Sequence, residues 1–199
     1  MKPDEKKQRI TDAAATLLLR QGVRKTGMED IAAAAGASKV TVYKYFGDKD
    51  GVLDAVSGRL TERCLKALAT ESGADADATA RMMGFMRVLS DFIHSGEQAL
   101  CSELSALPGP SATLFAAFES NVRDLIFSLI REGKAAQIID GTLSDEVIYH
   151  YIEMGLCYFK HDALYRERMW VDETFRKSFL HLIWRNIFTA ESLQEIETG

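Results

Sequence analysis

Cysteine, proline and long apolar runs are all scarce in this chain, and each scarcity excludes something. The 199 residues hold three cysteines, Cys64, Cys101 and Cys157, odd in number and widely spaced. Neither a disulfide framework nor a CxxC metal site follows from them. The three prolines leave long stretches open to helix. No apolar run approaches membrane-spanning length, and the amino terminus MKPDEKKQRI lacks the apolar stretch of a signal peptide. A cytoplasmic protein with no membrane partner is expected. A glycine-rich phosphate loop, an internal repeat and strand-like alternation are also missing, so an all-α fold is expected.

Basic residues are in deficit too, with a formal net charge of −5. The deficit is uneven. Residues 1–50 carry ten Lys/Arg against seven Asp/Glu, while residues 51–199 carry fourteen against twenty-two. An amino-terminal +3 beside a remainder of −8 allows one end of the molecule to face phosphates.

What is present is concentrated in Thr26 to Lys49, TGMEDIAAAAGASKVTVYKYFGDK. Thr26 and Glu29 have the spacing of a capping box, which starts a helix at Thr26. Ile31, Ala32 and Ala35 then form an apolar stripe whose alanines let a second helix approach closely. Gly36 supplies a left-handed turn and Ser38 the next N-cap. From Lys39 to Phe46, Val42 and Phe46 share one face, leaving Lys39, Thr41, Tyr43, Lys44 and Tyr45 for phosphates or base edges. Gly47 stops that helix, and Asp48 can cap another. Lys49 in its first turn suits a nearby phosphate. Two short helices joined by a glycine turn are the geometry that sets a helix in the DNA major groove. Ahead of them, residues 4–21 read as a bracing helix with Ile10, Ala13, Ala14, Leu17 and Leu18 on one face and Gly22 as its stop. Its early Lys2, Lys6, Lys7 and Arg9 are either backbone-phosphate contacts or a solvated charge run.

The run Asp30-Ile31-Ala32, Ala35-Gly36-Ala37-Ser38, Thr41-Val42-Tyr43, Tyr45-Phe46 and Asp48-Lys49-Asp50 resembles the amino-terminal domain of the TetR (tetracycline repressor) family, over roughly Gln8 to Val56. The resemblance implies a dimeric regulator that binds a double-stranded DNA operator and is released by a small-molecule effector. It implies DNA contacts from Thr26, Lys39, Val40, Thr41, Tyr43, Lys44, Tyr45 and Lys49, with Tyr43 and Lys49 toward phosphates and Thr41 and Lys44 toward bases. Two departures stand out: Val40 where the family often has a small residue such as Gly, and Tyr45 where His is common.

Beyond Asp48 the pattern is helical, with helices expected at about 49–70, 79–95, 97–107, 111–132, 145–168 and 173–189. The expected division is a helix-turn-helix domain at 1–50 and a larger effector-binding and dimerisation domain at 51–199. Met82, Phe85, Met86, Leu89, Phe92 and Ile93 recur at helical spacing, as do Leu114, Phe115, Phe118, Leu125 and Ile126. Such stripes fit an ordinary core or an adaptable apolar pocket. The resemblance favours a pocket containing Met82, Met86, Phe115 and Phe118, with Arg87, His94 and Arg123 as polar anchors. Ile148, Ile152, Gly155, Leu156 and Phe159 form a further stripe, and Phe175, Phe179, Leu182, Ile183 and Ile187 another. In the family the matching helices of two subunits form a four-helix interface, and such a two-fold dimer presents two recognition helices about one DNA turn apart, as a palindromic operator requires.

Two other classes compete. A helical bundle can hold a metal between carboxylates and histidines, and Asp91-x-x-His94, Glu146-x-x-x-His150 and His161-Asp162 are the local candidates. No repeated Glu-x-x-His pair is present, so no catalytic residue, metal or cofactor is assigned. An effector-independent DNA-binding protein is the other class, against which the long Met/Phe-rich region counts.

Overall fold

The computed structural model describes residues 3–71, 76–189 and Ser192, without the side chains of residues 3, 155–161, 163, 166 and 170. Among the described residues the chain is helical: α1 (Pro3–Gln21), α2 (Met28–Ala34), α3 (Lys39–Phe46), α4 (Lys49–Glu71), α5 (Ala78–His94), α6 (Glu97–Ser105), α7 (Pro110–Ala135), α8 (Asp145–His161), α9 (Ala163–Val171) and α10 (Glu173–Arg185). The all-α expectation holds. An isolated antiparallel bridge, Ile139 to Phe188, is the one β feature among them.

By packing, the chain forms two compact units, residues 1–64 with 96–118 and residues 65–95 with 119–199. Two of the three unit boundaries fall inside α4 and α7, and the third falls between α5 and α6. The sequence boundary at residue 50 marks where the helix-turn-helix motif ends, whereas packing also gathers α6 and the start of α7 with the amino-terminal helices.

In the first unit, Ile10, Ala14 and Leu18 of α1, Ile31 and Ala32 of α2, Val42 of α3 and Val52, Val56 and Leu60 of α4 are buried. In α1 and α4 their i, i+4 spacing supplies the apolar stripe that each helix turns inward. Burial of each large side chain contributes on the order of 1.5–3 kcal/mol. Polar links add register. The Val23 N–H donates to Glu103 of α6 at 3.2 Å, and Ser111 at the start of α7 donates to Asp54 at 2.6 Å.

In the second unit, Met82, Phe85 and Val88 of α5, Ile126, Leu129 and Ile130 of α7, Ile148 and Ile152 of α8, and Ile183 and Trp184 of α10 are buried. Gly84 lets α5 pass close to the end of α4, since a Cβ there would sit 2.2 Å from the Glu71 carbonyl oxygen. Backbone bonds from Asp140 to Ile187 (3.1 Å) and from Thr189 to Ile138 (3.0 Å) fasten the segment after α10 to the turn after α7.

One expected helix, 145–168, is two. Asp162 interrupts it, its carboxylate accepting the Tyr165 N–H at 3.0 Å. An aspartate that can bond the backbone two or three residues on favours a cap over a helix interior.

Candidate nucleic-acid interface

The expected capping box at Thr26 is replaced by another arrangement. The N-cap of α2 is Gly27, in extended conformation, and its N–H donates to the Asp30 carboxylate at 2.8 Å. Thr26 is 1% exposed. Its hydroxyl donates to the Gly22 carbonyl at 2.8 Å, closing the turn after α1, and lies 3.3 Å from the Gln21 amide nitrogen. That bond to Gly22 occupies the hydroxyl proton, and burial removes the side chain from the surface.

Between α2 and α3 the chain turns through Gly36 at φ 55°, a left-handed conformation that glycine adopts without Cβ strain. Ser38 then caps α3, accepting the Thr41 N–H at 3.2 Å, as expected. The two hydroxyls also lie 2.8 Å apart. Thr41 is therefore held in the cap. At the other end, Gly47 (φ 79°) ends α3, and Asp48 accepts the Gly51 N–H at 2.9 Å to start α4.

With Val42 buried against the core, α3 turns Lys39, Val40, Tyr43 and Lys44 outward, a set at i, i+1, i+4 and i+5 that shares one face. Val40 is 79% exposed. Thr41, Tyr45, Phe46 and Lys49 are half-buried. The ring of Phe46 packs beneath the Lys7 ammonium at 5.8 Å, which gives one of the early basic residues a packing role.

Charges on this surface are partly committed. Lys39 pairs with Glu29 of α2 at 2.6 Å, both exposed. The hydrogen bond to Glu29 and then its charge hold the Lys39 ammonium pKa above its ordinary value. Lys49 donates to the Val23 carbonyl at 2.7 Å, a bond that joins the start of α4 to the loop after α1.

The other expected site residues are dispersed. Met82 and Phe85 line a cleft with Ile126, Leu129, Ile139, Ile152 and Trp184. Its free volume is about 10 Å³, near the minimum for a single water. Met86 is half-buried, and Phe115 and Phe118 belong to the other packing unit. Arg123 is exposed, 3.3 Å from the Ser120 hydroxyl. Arg87 pairs with Glu71 at 2.7 Å.

Of the helices expected to pair between subunits, Ile148, Ile152 and Ile183 are buried within the protomer. Phe175 and Phe179 pack edge-on to Tyr165 at 5.9 and 5.4 Å, and only Leu182 of the α10 set is exposed. Gly155, Leu156 and Phe159 lie outside the described side chains, as does His161. Exposed apolar side chains that periodicity did not single out are Val147 and Met154 on α8. His150 pairs with Glu153 at 3.2 Å on the surface. Among the described residues no three His, Cys, Asp or Glu side chains cluster as metal ligands.

A helix capped at Ser38, braced by two neighbours and presenting one polar and apolar face, defines a helix-turn-helix protein. Residues 10–56 match the model of the bacterial regulatory proteins, tetR family. The uncharacterized HTH-type transcriptional regulator YvkB of Bacillus subtilis is 39% identical over 56 residues, 28% of this chain and 29% of that protein. The match thus spans less than a third of this relative. Over the whole fold, the regulatory protein TetR from Rhodobacter sphaeroides superposes with a TM-score of 0.73 at 18% identity, covering 90% of this chain and 97% of that one. The structure of AibR in complex with isovaleryl coenzyme A and operator DNA gives 0.68 at 16% identity, covering 90% and 98%. Residues 10–56 thus match the amino-terminal domain of the tetR family of bacterial regulatory proteins, and over the length of the chain the helices share the fold of these solved structures.

Proposed function

We propose that the protein is a dimeric repressor that binds a palindromic DNA operator through α3 and is released by a small apolar or aromatic effector. The carrying observation is the outward face of α3, where Val40, Tyr43 and Lys44 stand together on a helix whose opposite side is locked by Val42. Phosphate contacts from Lys44 and Tyr43 would supply affinity and register, and side chains at the base edges would supply selectivity. The reading assigns no catalytic residue. It places the protein with DNA, in the cytoplasm.

Dimerisation in this reading uses the exposed side of the α8 and α10 pair, Val147, Met154 and Leu182. The buried isoleucines beside them stiffen the helices. Asn186 donates to the Tyr151 hydroxyl at 2.9 Å and holds the two helices together at that edge.

An effector would have to open the closed cleft around Met82 and Trp184, so it would favour a minor conformation with poorer operator affinity. AibR was captured with both isovaleryl coenzyme A and operator DNA, which makes acyl thioesters a reasonable first set of compounds. The small cleft volume also supports a second reading, DNA binding without an effector.

Selection of bound duplexes from a random pool, followed by fluorescence anisotropy against scrambled duplexes, tests the DNA reading. A selected palindrome with preferential affinity is expected, and no preference over scrambled DNA would reject it. Addition of acyl thioesters and aromatic compounds to the complex then separates the two readings. Release supports the effector-controlled repressor, and a complex indifferent to all of them supports the other.

A further inference from the structure

We propose that Val40 reads the 5-methyl group of a thymine in the operator half-site, which makes it a selectivity residue of this helix. The inference rests on DNA binding through α3.

The other residues expected to contact DNA are largely spoken for. Lys39 is paired with Glu29, Thr41 is held at the cap by Ser38, Thr26 is buried, and Lys49 is bonded to the Val23 carbonyl. Tyr43 and Lys44 remain exposed on the same face, and a phenol and an ammonium both suit phosphate oxygens. The side chain in the middle of this face is an isopropyl group, 79% exposed.

An apolar side chain there is costly in water and has no hydrogen bond to offer. Of the four bases, only thymine presents an apolar group in the major groove. Cytosine presents an amino donor, and the purines present N7 acceptors with an amino or carbonyl group. Valine against any of these leaves a polar edge dehydrated and unpaired, whereas against thymine it buries methyl on methyl. The adjacent Lys44, in an amino-terminal segment of net positive charge, favours a polyanion over an apolar protein surface as the partner of this face.

Deoxyuridine tests this, because it keeps every hydrogen bond of thymine and lacks the methyl. A duplex selected from a random pool is resynthesised with each thymine replaced singly by deoxyuridine, and affinities are measured for the wild type and Val40→Ala. One thymine in each half-site should weaken wild-type binding about four-fold when replaced, the factor corresponding to one buried methyl. Val40→Ala should bind the thymine duplex more weakly and lose that discrimination. Circular dichroism checks that the variant is folded, as substitution of so exposed a side chain should leave it. If the selected duplex binds but no replacement matters, or if Val40→Ala keeps the full thymine preference, the assignment of Val40 is wrong while DNA binding stands. If no duplex is selected at all, DNA binding through α3 fails and the assignment falls with it.

Discussion

The Lys49 ammonium reaches across 26 positions of sequence to the Val23 carbonyl oxygen, 2.7 Å away. It thereby ties the first turn of α4 to the loop that follows α1. A lysine at a helix N-terminus is unfavourable with respect to the dipole, and here the ammonium is held by a peptide carbonyl of the same chain. Lys49→Met, which keeps the apolar stem, should lower the melting temperature by a few degrees, corresponding to roughly 1 kcal/mol for a half-exposed charged hydrogen bond. The salt dependence of DNA binding should keep its slope. A slope reduced by about one, with unchanged stability, would instead assign Lys49 to a phosphate.

Gly84 and Gly36 predict two different costs for the same substitution. At Gly84 a new Cβ would lie 2.2 Å from the Glu71 carbonyl oxygen and 2.7 Å from its carbon. Backbone cannot yield as a side-chain tip can, so Gly84→Ala should cost about 1–3 kcal/mol. At Gly36 no atom lies within 4 Å, and only the φ of 55° opposes a side chain. Gly36→Ala should cost about 1 kcal/mol. Urea denaturation of the two variants measures both, and equal midpoints would contradict this ranking.

The difference between these glycines shows what was legible beforehand. Gly36, Ser38 and Gly47 announce local backbone events, and the chain uses each as its residue type suggests. The spacing of Thr26-x-x-Glu29 predicts a start at Thr26, whereas the structure caps α2 with Gly27 and Asp30. The second arrangement wins because the Gly22 carbonyl captures the Thr26 hydroxyl, a contact made by the fold of the loop. In α8 the apolar residues occupy two faces, and periodicity alone cannot tell which face meets the protomer core. Packing buries Ile148 and Ile152 and leaves Val147 and Met154 outside. Likewise, the Met82 and Phe85 stripe was visible, but whether it encloses a pocket depends on how tightly α7, α8 and α10 close over it.

The thiols of Cys64 and Cys101 give a pH prediction. Burial, the leading cause in each, raises the Cys64 thiol from 9.0 to about 11 and the Cys101 thiol from 9.0 to about 12. A pKa raised on folding contributes stability in full below the unfolded value and loses it as pH climbs through the folded one. Stability should therefore fall between pH 9 and about 12, and the Cys64→Ala, Cys101→Ala variant should show a shallower fall there. At pH 8 both thiols should resist iodoacetamide in the native protein and react after unfolding, as mass spectrometry would record. Rapid native labelling of Cys101 would contradict its burial.

Ile152 and Met154 stand two residues apart on α8, one 4% exposed and the other 60%, so aspartate substitutions should fail in different ways. Ile152→Asp places an unpaired carboxylate in the protomer core, at a cost of several kcal/mol, and should reduce helicity and yield aggregates. Met154→Asp leaves that core intact. If the exposed side of α8 and α10 joins two protomers, Met154→Asp and Leu182→Asp should retain wild-type circular dichroism, sediment as monomers and bind a palindromic duplex at least ten-fold more weakly, because a monomer engages only one half-site. Stable dimers in both surface variants would place the subunit contact elsewhere, and a wild type that already sediments as a monomer would remove dimerisation from the proposed mechanism.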